Sequence, residues 1–354
     1  MRRVCRTAWL AIVACGLSTP GVIAGPIDPN LFRGPSPVDL TLTSGTYTIN
    51  TTAPGAPTLS NGTTTYIGLY SNNIAVFDFH SVFIGSGVTV NATPGPGTLA
   101  VALLSTTTEV INGTISVAGL GSSPGAGAAD LGVGGNGEFV PYSGPGFGRE
   151  AGSGGGGFGG AGGAGQDGFN YGIPRAGGAG GGTYGNLADK LQGGSGGGSG
   201  SGGGGGGGGA IELGAVGGLS IAGLIDARGG QYTSNLGGGG SGGGIFIHAP
   251  SVDISGILDV RGGLGSPGNG GTAPANRSGD GGGGRILIET TDASTLSLRG
   301  SAPGTTGGPG FINDGTFSVA ALPAAVPEPS SLILLGTSTL GLAAHALARR
   351  RAGA

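Results

Sequence analysis

The chain has 354 residues, of which 90 are glycine and only 9% are charged, with a formal charge of −3 and a single lysine, Lys190. About a quarter glycine, against a usual ~7%, excludes ordinary globular packing, and so few charges exclude a solvated disordered coil. The acidic balance excludes a nucleic-acid partner, which needs lysines and arginines to neutralise phosphates.

The first 24 residues read as a secretory signal peptide. Met1-Arg2-Arg3-Val4-Cys5-Arg6 is basic, Ala8 to Leu17 is apolar, and the small residues Val22-Ile23-Ala24 place cleavage after Ala24. Both cysteines, Cys5 and Cys15, lie inside this segment, so the processed chain has no disulfide. Ile12-Val13-Ala14-Cys15 also resembles a lipobox, in which Cys15 would become a lipidated first residue. The apolar stretch before it is short, and a better small-residue site follows.

Residues 25–119 form a β region. Val38-Asp39-Leu40-Thr41-Leu42, Ile74 to Phe79 and Val88-Thr89-Val90 alternate apolar and polar positions between turns such as Ser44-Gly45, Asn61-Gly62 and Pro94 to Gly97. Residues 120–209 are a Gly-rich, low-complexity insertion that ends in eight successive glycines, Gly202 to Gly209. Ordering so much glycine is costly and few side chains offset it, so the expectation is a flexible or loosely packed insertion. The other reading is a packed array of extended, polyproline-II-like glycine segments.

Residues 210–300 repeat. Gly223-Leu224-Ile225-Asp226-Ala227-Arg228-Gly229 is matched by Gly256-Ile257-Leu258-Asp259-Val260-Arg261-Gly262, with an earlier copy from Gly113 to Gly119 and a later one from Leu296 to Gly300. Strands precede three of the copies at Ile211-Glu212-Leu213, Ile245 to His248 and Arg285 to Ile288. Each unit holds short strands that cannot bury their own apolar face, so units must stack. Ile211, Ile221 and Ile225 are expected to pack on Ile245, Ile254 and Leu258. This predicts an all-β chain built as an irregular parallel β-helix-like solenoid, with a β-sandwich as the alternative.

Chemistry is sparse. Asp226, Arg228, Asp259 and Arg261 are expected to point outward, either as a stripe for sugar hydroxyls or carboxylates or, preferably, as a solvated face of offsetting charges. Gly162 to Phe169 matches one calcium β-roll unit, but such sites need stacked copies. Gly193 to Gly197, around Ser195, and Gly239 to Gly243, around Ser241, fit a nucleophile-elbow pattern without its strand–turn–helix setting. His80, His248 and His345 stand alone, with no metal-ligand spacing. No motif calls for a cofactor or a metal, and the carboxylates are scattered singly, so no catalytic site is expected. A β-helical carbohydrate-active enzyme stays the alternative, by fold analogy alone. A surface that binds ice or another regular solid would need a flat row of threonine or asparagine, which the irregular turns do not supply.

Residues 301–325 read as a linker. The tail, 326–354, holds Pro327-Glu328-Pro329, an apolar run and Arg349-Arg350-Arg351. Residues 331–348 would span roughly 27 Å as a helix, close to the ~30 Å hydrocarbon core of a bilayer, and the arginines would stay on the cytoplasmic side. In this order, at the extreme end, the motif resembles the PEP-CTERM sorting signal of Gram-negative bacteria. The resemblance implies recognition of Pro327, Glu328 and Pro329 by an exosortase-type processing enzyme, with Arg349 to Arg351 as the stop signal. It further implies inner-membrane anchoring before sorting, release to the cell surface or beyond, and extracellular polysaccharide as a partner. The function expected is that of an exported structural or adhesion protein of the extracellular matrix or biofilm.

Overall fold

The computed structural model describes residues 27–29, 32, 38–52, 54–129, 151–170, 173–199, 203–233, 235–268, 277–291, 294, 296–299 and 316–321. Ala24, residues 301–315 and 322–325 of the expected linker, Pro327 to Pro329, the expected helix at 331–348 and Arg349 to Arg351 lie outside these residues, while residues 316–321 of that linker form a strand.

The described chain is all-β, with no helix long and apolar enough to cross a membrane among the described residues. It opens with β1 (Leu40–Leu42), β2 (Gly45–Asn50), β3 (Thr58–Ser60), β4 (Thr65–Ile67) and β5 (Leu69–Ser71). Two regular passes follow: β6 (Ile74–Phe79), β7 (Val82–Ile84) and β8 (Val88–Ala92), then β9 (Ala100–Ser105), β10 (Glu109–Ile111) and β11 (Thr114–Ser116). A short hairpin, β12 (Gly168–Asn170) with β13 (Ile173–Arg175), lies inside the Gly-rich region. Two further passes are β14 (Ala210–Ala215), β15 (Gly218–Ile221) and β16 (Leu224–Asp226), then β17 (Gly244–His248), β18 (Ser251–Ile254) and β19 (Ile257–Asp259). The last strands are β20 (Arg285–Thr290), β21 (Leu296–Leu298) and β22 (Thr316–Ala321).

Every pass visits three sheets in the same order. The first strands (β6, β9, β14, β17, β20) pair in parallel as sheet I, which β22 extends and β5 joins antiparallel at the other edge. The middle strands (β1, β7, β10, β15, β18, β21) form the parallel sheet II. The third strands (β2, β8, β11, β16, β19) form sheet III, which β3 and β4 close antiparallel. The pairs Ile211–Ile245, Ile221–Ile254 and Ile225–Leu258 are in register as the repeat requires.

Alternate side chains point into the space between the sheets, where Phe77, Leu103, Ile111, Ile115, Ile211, Leu213 and Ile247 belong to one buried apolar cluster. One column breaks the rule. Glu109 stands in register between Val82 and Leu219, is fully buried, and neither carboxyl oxygen has a hydrogen-bond partner. Sheet I is buried on both faces, so its strands read as continuous apolar runs. Its outer side carries Ile74, Val76, Ala102, Leu104, Phe246 and Leu287, covered by Phe158, Leu187 and Leu191 from the Gly-rich region. Arg285 of β20 holds this cover down, its guanidinium 5.3 Å from the Phe158 ring centre and bonded to the carbonyl of Tyr184.

The glycines form a second packed array, centred on residues 236–244. Gly238 and Ser241 donate to Gly198 and Ser195, Gly239 and Gly242 to Gly279 and Gly282, and Gly240 and Gly243 to Gly230 and Ala227. The carbonyls keep the same period: Leu236 and Gly239 accept from Ser153 and Gly156, Gly237 and Gly240 from Ser266 and Gly263, and Gly238 and Ser241 from Gly205 and Gly208. These twelve bonds are 2.7–3.2 Å long. A three-residue period with all bonds directed to neighbours is the signature of polyproline-II geometry, and here it gives one segment six bonded neighbours. Nothing larger than glycine fits where the backbones touch. A Cβ on Gly239, Gly240, Gly242 or Gly243 would overlap the carbonyl oxygen of Gly263, Gly206, Val260 or Gly209, respectively.

The expectation of a flexible or loosely packed insertion is therefore corrected for its described part. Hydrogen bonds made by the backbone itself, not by side chains, offset the ordering cost. Several of these segments run straight into or out of the sheets, as Gly209 into β14, Gly243 into β17, and Gly284 into β20.

Candidate functional site

Sheet III turns one face away from the core. On it Thr46, Thr89 and Thr114 form one row across three parallel strands, and Thr48, Asn91 and Ser116 form the next. Neighbours sit about 4.8 Å apart across strands and about 6.7 Å apart along them. All six are at least partly exposed. A row of threonines, which the irregular turns were not expected to supply, is thus present over three strands. The interval from 46 to 89 is longer than that from 89 to 114 because β3, β4 and β5 are added between β2 and β8.

Further along, the rows become Leu224 and Ile257, and Asp226 and Asp259. The two aspartates are 6% and 4% exposed, so the expected solvated face is corrected: the carboxylates are buried and the arginines cover them. Arg228 donates through Nε and Nη2 to the two oxygens of Asp226, each at 2.9 Å. Arg261 repeats the fork on Asp259 at 3.0 and 2.6 Å. Arg228 Nε also lies 3.6 Å from Asp259, so the pairs are linked, and the hydrogen bonds to Asp226, helped by the charges of both carboxylates, push the Arg228 pKa up against its burial. A two-residue spacing at the end of a strand places both forks on the same side, because side chains alternate with period two.

Beside the forks runs a groove of about 520 Å³ lined by Arg228, Arg261, Gln231, Tyr232, Leu120 and Leu264 among others. The arginine side chains remain 47% and 36% exposed. Two carboxylates offset two guanidiniums, so the groove presents N–H groups, an amide and an aromatic face with little net charge. That chemistry suits a neutral, hydroxyl-rich ligand.

Other sequence candidates fall elsewhere. Ser195 and Ser241 are fully buried in the glycine array, where the Ser241 hydroxyl accepts from the Ser195 amide at 2.8 Å and Ser195 Oγ donates to the Gly157 carbonyl at 2.9 Å. Asp167, in the single calcium-like unit, accepts from the Gly177 amide at 2.8 Å. No group of three or more possible metal ligands occurs among the described residues. His80 lies at the surface, 3.0 Å from Asp39, whose carboxyl is held below its usual range by hydrogen bonds from Ser81 and His80.

His248 was read as solitary, and the fold gives it company. Its Nε2 is 2.9 Å from Glu212 Oε1, and Glu289 is its in-register neighbour on β20. The signal was present as an acid or histidine at an outward position on three copies of the same strand, but only the pairing register shows that they meet.

Comparison with known proteins gives one match. Residues 325–351 match the PEP-CTERM protein-sorting motif. No curated protein and no solved structure matches the chain.

Proposed function

We propose that the chain is an exported structural or adhesion protein of the extracellular polymer layer, sorted through its C-terminal tail. The match to the sorting motif at 325–351 carries this reading. In it, residues 1–24 direct export and cleavage follows Ala24. The helix at 331–348 holds the protein in the inner membrane, Arg349 to Arg351 stop transfer, and an exosortase-type enzyme recognises Pro327, Glu328 and Pro329.

The body is read as a short parallel β-helix with the glycine array along one flank. Support comes from the fixed order in which each pass visits the three sheets, and from parallel pairing where a sandwich would pair antiparallel. A rigid body of this kind suits a scaffold. Sheet III's threonine rows and the adjoining groove are the surface offered to neutral extracellular polysaccharide.

The test is to fractionate the native host and determine both ends of the mature protein by mass spectrometry. Loss of the residues after Pro329 with the body outside the cell is the expected result. An intact tail in the membrane fraction would overturn sorting. Release of new reducing ends or unsaturated sugars from host polysaccharide would instead favour a carbohydrate-active enzyme.

A further inference from the structure

The outward face of sheet III continues from the hydroxyl rows into the arginine groove. One line crosses all seven of its strands in register. Thr65, Ser60, Thr48, Asn91 and Ser116 occupy the first five positions, and Asp226 and Asp259 the last two. Leu59, Ile49, Val90 and Ile115, next to them along the strands, are buried, while the first five are partly or fully exposed. Hydroxyls and a carboxamide both donate and accept hydrogen bonds, and none of the five is charged. The Ser60 and Thr65 hydroxyls lie 2.8 Å apart. Ser116 Oγ donates to Asp226 Oδ2 at 3.4 Å, which joins the line to the first arginine fork. At that end Tyr232 and Gln231 line the groove together with both arginines.

The repeat of the line sets the shape of what it can hold. Strands about 4.8 Å apart give five positions a span of about 19 Å and all seven about 29 Å. A glycan of pyranose rings joined by equatorial bonds at both C1 and C4 is an extended ribbon that advances by close to one strand spacing per sugar. Its alternate rings are flipped, so each edge offers a hydroxyl at every sugar. An axial bond at C1 instead curls the chain away from a straight line. A chain of uronates would set carboxylates against Asp226 and Asp259, whose arginines are already engaged.

We propose that sheet III binds a neutral β-1,4-linked hexose chain laid across its strands, one sugar to a strand, with one end in the groove against Tyr232. The tyrosine ring offers an apolar face to a sugar ring, and the arginine N–H groups take its hydroxyls. The inference rests on the reading of this face as a polysaccharide surface. It adds the linkage, the direction and the length of the bound segment, about five to seven sugars at one per strand.

Isothermal titration of protein purified from its host, with the series from cellobiose to cellohexaose, tests it. One hydrogen bond per added sugar should tighten binding roughly two- to tenfold at each step, so cellohexaose should bind at least about tenfold tighter than cellotriose. Maltohexaose, which is α-1,4-linked, and β-1,4-linked hexamannuronate should bind no better than cellotriose. Thr48→Val and Asn91→Ala, in the middle of the line, should each weaken cellohexaose roughly two- to tenfold and leave cellobiose unchanged. Thr41→Val, on the outer face of sheet II, should alter neither. Equal or tighter binding of maltohexaose or hexamannuronate, or an affinity that does not rise beyond cellotriose, would overturn the inference and leave the polysaccharide reading standing. No binding of any of the three hexasaccharides would overturn both.

Discussion

Replacing Gly242 by alanine tests the glycine array at its most crowded point. The new Cβ would overlap the Val260 carbonyl oxygen and would lie 2.5 Å from the Val260 carbonyl carbon and 2.8 Å from the Gly284 nitrogen. Ordinary contact needs at least 3.4 Å, so two backbone segments must part by several tenths of an ångström or more. The bonds at risk are Gly242 N–H to Gly282, Gly243 N–H to Ala227 and Gly284 N–H to Val260, at 2.9, 2.7 and 2.8 Å. Overpacking costs about 1–3 kcal/mol. Weakening one of these bonds adds about 1 kcal/mol, and the stiffer unfolded chain returns about 0.4–1 kcal/mol. The net expectation is a loss of about 1–3.5 kcal/mol, which lowers the urea midpoint by roughly 0.5–1.5 M for a slope of about 2–3 kcal/mol/M. Gly182→Ala is the internal control. Nothing lies within 4 Å of its Cβ position, so it should be neutral or slightly stabilising. Equal midpoints for the two variants would refute the packed array.

Glu109→Leu should stabilise the protein by about 1–3 kcal/mol at neutral pH, because a buried carboxyl without a partner gives way to a residue matching Val82 and Leu219. Burial raises the folded pKa of Glu109 well above 4.5, so the native state holds a proton that the unfolded chain releases. Wild-type stability should therefore fall as pH rises from about 4.5 through the folded pKa, and thermal midpoints across that window should show a shallower fall in Glu109→Gln. Arg228→Ala leaves Asp226 buried without its fork and should cost about 1–3 kcal/mol in urea unfolding, with Arg228→Lys close behind because an ammonium cannot make the fork. Arg299→Ala removes a more exposed pair with Asp253 and should change stability by less than about 1 kcal/mol. Hydrogen exchange should find the amides of Gly155, Gly181, Gly205 and Gly242 protected; fast exchange at all four would contradict their bonds to Gly163, Gly155, Gly238 and Gly282.

Much of the core could be read before any coordinates. The repeat from Gly223 to Gly229 and from Gly256 to Gly262 sets Ile225 against Leu258, because period-two alternation and equal spacing leave only one register that buries them. The candidate surfaces could not be read in this way. Thr46, Thr89 and Thr114 sit at unequal intervals, and Glu212, His248 and Glu289 lie on three separate passes, so only the pairing register brings the members of each group together. Asp226 and Asp259 pointed outward as the alternation required, but their burial depended on arginines folding back over them.

The sequence by itself displayed the sorting motif at 325–351 and the residues that build the stacked core. A sorting signal is read as a local string, and a repeat carries its own pairing rule. Only the tertiary structure decided the state of the glycines. Taken singly, a glycine segment predicts a high ordering cost and no side-chain burial to offset it. Six neighbours at the right distance let nearly every amide and carbonyl of the central segment bond to another chain segment, and the missing side chain then becomes the condition for close approach. That compensation belongs to the assembled array, so no single stretch of sequence displays it.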